Sequence, residues 1–132
     1  MHTDGARVLV AEDDFDMRAM IAAALRADGY SVVEAANGIE LLDAIAVGLI
    51  SGRSEDAFDV VLSDVRMPRV NGIDVITRLR QASWTVPVII MTASGDETFL
   101  TRLRELGIRL LEKPFDLDDL REAIATAINR PS

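Results

Sequence analysis

Five side chains of the sequence could together transfer a phosphoryl group: Glu12, Asp13, Asp64, Thr92 and Lys113. Grouped carboxylates repel one another unless a cation neutralises them, and carboxylate oxygens favour a hard ion such as Mg2+. An aspartate can act as a nucleophile and form an aspartyl phosphate. A threonine hydroxyl and a lysine ammonium both suit phosphate oxygens. If folding brings these residues together, they predict a phosphoryl-transfer site.

The segments that would position these residues alternate between short apolar runs and amphipathic stretches. The runs predict five strands at Ala6–Ala11, Ser31–Ala35, Asp59–Ser63, Pro87–Met91 and Ile108–Glu112. Three of them are apolar without alternation, which is typical of parallel strands covered on both faces. Five β/α repeats predict an α/β fold, a three-layer doubly wound sandwich whose parallel sheet has the flavodoxin-like order 2-1-3-4-5.

Each predicted strand is followed by an apolar stripe with the period of a helix. In the first helix the stripe is Met17, Met20, Ile21, Ala24 and Leu25, with Asp16 as the N-cap and Gly29 as the stop. The middle stripes are Leu41, Leu42, Ile45 and Leu49; Ile73, Ile76 and Leu79; and Phe99, Leu103 and Leu106, closed by Gly107. The last is Leu117, Leu120, Ile124 and Ile128, after Asp116 as N-cap. Gly48–Ala57 is predicted to be a polar loop.

In such a sheet, ligands bind beyond the carboxyl ends of the strands. Glu12 and Asp13 follow the first predicted strand, and Asp64, Thr92 and Lys113 follow the third, fourth and fifth. Each residue alone has an ordinary interpretation: an acidic helix start, a turn residue, a cap or a surface ion-pair partner. Their joint occurrence at four strand ends favours one shared pocket.

Length and composition exclude several classes of protein. A chain of 132 residues suits one domain, 1–132, with its core at about 6–129, and the net charge of -8 argues against a nucleic-acid surface. The absence of cysteine excludes disulfides and thiolate chemistry and fits the cytoplasm. Neither a signal peptide nor an apolar run of about 20 residues is present, so no membrane contact is expected. The only histidine, His2, is a poor phosphorylation site.

Four motifs, which together span nearly the whole chain, resemble those of the receiver domain of two-component response regulators. They are VLVAEDDFDMR (8–18), VVLSDVRMPRVNG (60–72), VIIMTAS (88–94) and LEKPF (111–115). The resemblance implies that Asp64 accepts the phosphoryl group. It also implies that Mg2+ binds to Asp13, Asp64 and the backbone carbonyl of Arg66, with Glu12 acting through a water.

The resemblance further implies how the site signals. Thr92 and Lys113 would contact the phosphoryl oxygens, assisted by backbone amides near Arg66 and Ala93. Lys113–Pro114 would be a cis peptide, and Gly72 would open the third helix. A sensor histidine kinase or phosphotransfer protein would be the donor. Phosphorylation would draw Thr92 inward and shift the face formed by helix four, strand five and helix five, which a downstream protein or output domain reads.

Three features depart from the family pattern. Leu110 replaces the usual aromatic residue three positions before Lys113, which puts the aromatic part of the switch in doubt. Arg66 lies two residues after the acceptor, and we hypothesise that it affects the lifetime of the phosphoryl group, which Arg66→Ala would test. The segment before the third strand is a few residues longer than typical, which a tolerated surface insertion explains.

Two other classes of function compete with phosphoacceptor signalling. A haloacid-dehalogenase-type hydrolase would also use an aspartate nucleophile, but it would need a second aspartate where Arg66 stands. A receiver-like module that only binds would usually lack the acidic pair, the acceptor or the lysine. We therefore expect a signalling switch that promotes its own phosphorylation and dephosphorylation. Because only four residues follow Ile128, a stand-alone domain that acts through protein contacts is the simplest expectation.

Overall fold

Five parallel strands form one sheet in a computed structural model that describes residues 5–64, 72–93 and 97–129. The strands are β1 (Arg7–Ala11), β2 (Ser31–Ala35), β3 (Val60–Asp64), β4 (Val88–Thr92) and β5 (Arg109–Glu112). The helices are α1 (Phe15–Ala27), α2 (Gly38–Ser51), α3 (Gly72–Gln81), α4 (Glu97–Glu105) and α5 (Leu117–Ile128). The sheet order β2-β1-β3-β4-β5 confirms the predicted wiring.

The sheet is covered on both faces, and its central strands β3 and β4 are buried along their whole length. On one face, α1 and α5 pack residues such as Leu25 and Leu120 against Val10 and Leu62. On the other, Leu41 of α2 and Leu103 of α4 belong to a second core cluster. The three-layer prediction is therefore confirmed.

The N-cap predicted for α1 was wrong. Asp14, not Asp16, has the extended backbone of a cap residue, with φ of -75° and ψ of 114°, and its side chain accepts a hydrogen bond from the Met17 amide at 3.0 Å. Asp16 lies within the first turn, where an acidic side chain still favours the helix dipole. For α5 the prediction is confirmed, because Asp116 and Asp119 form a reciprocal capping box.

Among the stripe residues whose side chains the structure describes, two face solvent instead of the core. Met20 is 48% exposed on α1, where the buried face is formed by Ile21, Ala22, Ala24 and Leu25. Leu49 is 56% exposed on α2. Each helical residue is turned by about 100° from its neighbour. Position 48, one residue before Leu49, therefore faces the body of the domain. A Cβ built on Gly48 would meet the Asp56 carbonyl.

The segment predicted as a loop at Gly48–Ala57 is partly helical. Helix α2 continues to Ser51 and ends at Gly52, whose positive φ of 66° suits a glycine. One turn of 3-10 helix, Ser54–Asp56, then leads to β3. The apolar residues before Gly52 extend the helix, so this prediction was wrong for its first four positions. Among the described residues, no helix has both the length and the apolar character needed to span a membrane.

Candidate functional site

The carboxyl ends of four strands bring the predicted site residues to one edge of the sheet. Asp64 pairs in register with Met91, and Thr92 pairs with Glu112, so β3, β4 and β5 end side by side. The Lys113 amide donates a hydrogen bond to the Thr92 carbonyl at 2.8 Å, which extends the β4–β5 pairing by one residue. The backbone thus places Asp64, Thr92 and Lys113 on adjacent strands.

Three carboxylates meet at this edge. Glu12, Asp13 and Asp64 each offer an oxygen, and these oxygens lie within 4.8 Å of one another. Glu12 and Asp64 are only 1% and 8% exposed, whereas Asp13 faces solvent. Two of the three negative charges are therefore held away from bulk water, where unpaired carboxylates are unfavourable.

Lys113 is the cation that the described residues supply to this cluster. Its Nζ donates to Asp64 Oδ2 at 2.9 Å and to Glu12 Oε1 at 3.2 Å. The Lys113 side chain is 23% exposed, so its ion pairs with Glu12 and Asp64 are partly shielded from solvent. The peptide bond between Lys113 and Pro114 is cis, as predicted.

The charges around the cluster shift the pKa of two groups. Burial raises the pKa of Glu12 above its ordinary value of 4.5; the Asp14 amide lowers it, Asp13 and Asp64 raise it, and Lys113 lowers it. Burial lowers the pKa of Lys113, but Asp64 and Glu12 outweigh that effect and leave it above 10.5. The cluster therefore favours added positive charge.

Sequence reasoning missed the groups that support Glu12. Its amide donates to the Ala35 carbonyl at 3.0 Å, and its carbonyl accepts from Arg18 Nη1 at 2.8 Å. Its second carboxylate oxygen accepts from the Asp14 amide at 3.1 Å. Ser63, also buried, donates its hydroxyl to the Asp64 carbonyl at 3.0 Å. A buried strand end needs such partners, but their identity depends on tertiary contacts that the sequence does not display.

The donor set fits a hard divalent cation. Mg2+ is usually bound by one or two carboxylates together with waters, and softer ions prefer nitrogen or sulfur ligands. Exposed Asp13 and buried Asp64 each offer a carboxylate oxygen to such an ion. The predicted ligand carbonyl of Arg66 lies outside the described residues, as does its side chain.

Comparison with known proteins assigns the family. A sequence model of the response regulator receiver domain matches residues 8–125. The chain belongs to this family. Membership removes the dehalogenase alternative and agrees with the acidic pair, the aspartate and the lysine found at the strand ends.

Curated relatives of this receiver domain differ in length. It is 30% identical over 119 residues to sporulation initiation phosphotransferase F of Bacillus subtilis, covering 89% of this chain and 90% of the relative. It is 34% identical over 126 residues to the transcriptional regulatory protein PdtaR of Mycobacterium tuberculosis, covering 94% of this chain but only 57% of the relative. The match to the transcriptional regulatory protein ZraR of Klebsiella oxytoca, 33% identical over 122 residues, covers 92% of this chain and 26% of that protein.

Solved structures share the fold of this receiver domain. A response regulator receiver domain protein from Clostridium thermocellum superposes with a TM-score of 0.80 at 30% identity, covering 95% of both chains. The chemotaxis response regulator CheY4 of Vibrio cholerae gives a TM-score of 0.75 at 27% identity, covering 93% of this chain and 98% of that one. The doubly wound fold predicted from the sequence is thus the fold of its structural neighbours.

Proposed function

We propose that this receiver domain accepts a phosphoryl group on Asp64 from a phosphohistidine donor in a Mg2+-dependent reaction. One observation carries the proposal: the Asp64 carboxylate, 8% exposed at the end of β3, lies 2.9 Å from the Lys113 ammonium and shares a cluster with two further carboxylates. A nucleophile, a cation and a metal-binding acidic pair are the parts that phosphoryl transfer to an aspartate needs.

The chemical step follows from these groups. A carboxylate oxygen of Asp64 attacks the phosphorus atom while the phosphorus–nitrogen bond to the donor imidazole breaks, and the imidazole nitrogen keeps the electron pair. The product is an acyl phosphate on Asp64. The Lys113 ammonium offsets the charge on the transferring oxygens, and the Thr92 hydroxyl is proposed to donate a hydrogen bond to one of them. Water later hydrolyses the acyl phosphate, so the domain promotes its own phosphorylation and dephosphorylation.

Asp13, Asp64 and the Arg66 carbonyl are proposed to hold Mg2+ directly. Glu12 is proposed to act through a water, because its two carboxylate oxygens already accept from Lys113 and from the Asp14 amide. When bound, Mg2+ supplies positive charge to the acidic cluster and to the transferring oxygens. The side chains of this chain then have to orient the acceptor and exclude bulk water.

We propose that the phosphoryl group shifts the α4–β5–α5 face through Thr92. The hydrogen bond from the Lys113 amide to the Thr92 carbonyl joins the ends of β4 and β5, which gives a direct route between them. Leu110, which stands where the family usually has an aromatic residue, packs partly buried against the core under α2, α3 and α4. We therefore propose that the shift passes through the β4–β5 backbone pairing. A downstream protein or output domain would read the shifted face.

The proposed donor is a sensor histidine kinase or a phosphotransfer protein, and the proposed setting is the cytoplasm. One relative of nearly equal length is named a phosphotransferase, and others are named transcriptional regulators of which this chain matches a quarter to somewhat more than half. We propose that residues 1–132 act as one receiver unit without touching nucleic acid or membrane, in keeping with a net charge of -8. In this proposal the regulated activity belongs to a partner protein or to an attached output domain.

Acetyl phosphate provides the test of the acceptor. The wild-type chain, incubated with acetyl phosphate and Mg2+, should gain one phosphate by intact mass, and EDTA should prevent the adduct. Asp64→Asn should gain none, because an amide cannot form the acyl phosphate. The matched control Asp43→Asn, which changes an exposed acid on α2, should behave as wild type. An equal adduct on Asp64→Asn would move the acceptor elsewhere, and no adduct on any protein would favour a module that only binds.

A further inference from the structure

Arg18 lies beside the acidic cluster and is neither the proposed acceptor nor a proposed metal ligand. It sits on the first turns of α1, with 13% of its side chain exposed. Its Nη1 donates to the Glu12 carbonyl at 2.8 Å, and its Nε lies 3.4 Å from Glu34 Oε1 on β2. Its guanidinium is also 5.4 Å from the centre of the Phe15 ring. The side chain is thus held on several sides.

The bond to the Glu12 carbonyl has a particular consequence. That carbonyl is half of the peptide group that joins Glu12 to Asp13, and a peptide group is planar. Its orientation therefore sets the direction in which the chain leaves Glu12 and the position of Asp13. The amide on the other side of Glu12 is fixed by the Ala35 carbonyl. With Arg18 in place, the backbone of Glu12 is held at both ends.

We propose that Arg18 is a positioning residue that orients the Glu12–Asp13 peptide group so that the acidic pair can bind Mg2+. The inference rests on the proposed function, because it assigns to Arg18 a role in the same metal site. The ion pair with Glu34 holds the guanidinium in place, so Arg18 links β2 to the end of β1. Partners that hold metal ligands from outside typically contribute about 10–100-fold to metal affinity.

Arg26 offers a closely matched control. It is on the same helix, its Nη1 lies 3.2 Å from the other oxygen of Glu34, and its Nη2 donates to the Val32 carbonyl at 3.0 Å. Arg26 therefore has the same charge, the same carboxylate partner and a backbone carbonyl partner. It differs from Arg18 in that its carbonyl partner lies on β2 and not in the acidic turn, and in that its side chain is 50% exposed.

The experiment measures divalent-ion affinity on the full chain. Mn2+ is the probe, because its binding enhances the relaxation of water protons, and Mg2+ affinity follows from competition. Arg18→Met should raise the Mg2+ dissociation constant about tenfold or more, whereas Arg26→Met should change it less than about threefold. Unfolding by urea in EDTA, measured for both variants, shows whether the folded state persists.

Two further variants separate positioning from charge and from folding. Arg18→Lys keeps the charge but lacks the fork that serves Glu12 and Glu34 together, so its affinity should stay nearer that of Arg18→Met. Glu34→Gln leaves Arg18 in place but weakens the ion pair that holds its guanidinium. It should raise the Mg2+ dissociation constant by a smaller factor than Arg18→Met does. This variant tests the proposal if Arg18→Met does not fold.

The outcomes separate the two proposals. Wild-type protein without saturable Mn2+ or Mg2+ binding would overturn the proposed metal site itself. Saturable wild-type binding with equal shifts for Arg18→Met and Arg26→Met would overturn the role of Arg18 alone. Full restoration by Arg18→Lys would have the same meaning, because charge without the fork would then suffice.

Discussion

The β1–α1 turn and the α2–β3 segment are both rich in polar and acidic residues, but they are stabilised in different ways. In the turn, Glu12 is bonded to groups from three other parts of the fold, the end of β2, helix α1 and the end of β5. In the segment, Arg53 pairs with Asp56 at 2.9 Å and with Glu55 at 3.5 Å, its own near neighbours in sequence. The Glu12 side chain at the start of the turn is 1% exposed, whereas the Arg53 side chain is 65% exposed.

Burial explains the difference. A buried polar group without a partner is costly, so the turn at the sheet edge has to recruit partners from distant elements. An exposed group can use water, so the local ion pairs of Arg53 contribute little, although the backbone of the segment is also tied to β1 where Arg7 Nε donates to the Glu55 carbonyl at 3.1 Å. Changes in the turn should therefore disturb stability and binding together, while changes in the segment should disturb neither or stability alone.

Removal of Lys113 should produce the largest effect. Lys113→Met leaves Glu12 and Asp64 buried together without their cation, which should cost about 3 kcal/mol of unfolding free energy in EDTA. Saturating Mg2+ should recover part of the loss, because the ion supplies charge to the same cluster. Urea unfolding with and without Mg2+ measures both quantities. Arg53→Met, which removes an exposed cation from the other region, is the control; equal losses would contradict the comparison.

A substitution at Gly48 tests the α2–β3 segment. A Cβ at this position would lie 2.6 Å from the Asp56 carbonyl oxygen, so the backbone after α2 would have to shift. Although alanine favours a helix, Gly48→Ala should lower stability by about 1 kcal/mol net, since overpacking costs about 1–3 kcal/mol. Acetyl phosphate labelling of Asp64 should stay at the wild-type rate. The exposed neighbour Val47→Ala serves as control, and a slower labelling rate in Gly48→Ala would show that the two regions are coupled.

The N-cap of α1 should give a smaller effect on stability than the preceding changes. Asp14→Ala removes the side chain that accepts from the Met17 amide and should cost about 1 kcal/mol. Asp16→Ala removes only an acid in the first turn and should cost about 0.5 kcal/mol. Thermal and urea unfolding in EDTA distinguish the two variants. A larger loss for Asp16→Ala would restore Asp16 as the cap.

The smallest effect is expected on the outer face of α2. Ile50 is 85% exposed, so Ile50→Lys should change stability by less than about 0.5 kcal/mol and leave phosphorylation unchanged. Sedimentation at several protein concentrations would show independently whether this face of α2 associates with another copy of the chain. A loss of stability well above this value would mean that the exposed residues of α2 are covered in solution.

The sequence predicted most of the fold and the meeting of the candidate site residues at one sheet edge, because both follow from general rules. Strands apolar throughout imply a sheet covered on both faces, and the wiring of such a sheet decides which strand ends meet. Thr92 and Lys113 could thus be placed beside Asp64 from their order in the chain alone. Their chemical roles remain predictions.

Details that depend on local geometry could not be predicted in this way. Asp14 and Asp16 are equally good cap residues by type, and only the backbone angles distinguish them. Leu49 continues an apolar pattern, but the phase of the helix points residue 48 inward instead. The hydrogen bond from Arg18 to the Glu12 carbonyl depends on the rotamer of the Arg18 side chain. In each case the deciding quantity is an angle that composition and periodicity do not contain.

Lys113 is the only lysine in the sequence, and its position has a practical consequence. Acylating reagents attack an uncharged amine, and although burial lowers the pKa of Lys113, Asp64 and Glu12 raise it above 10.5 and keep the ammonium charged. Its modification at neutral pH should therefore be slow. Any event that draws either carboxylate away from Nζ would alter the labelling rate of one ε-amine, so the domain contains a built-in chemical reporter on the state of its own acidic cluster.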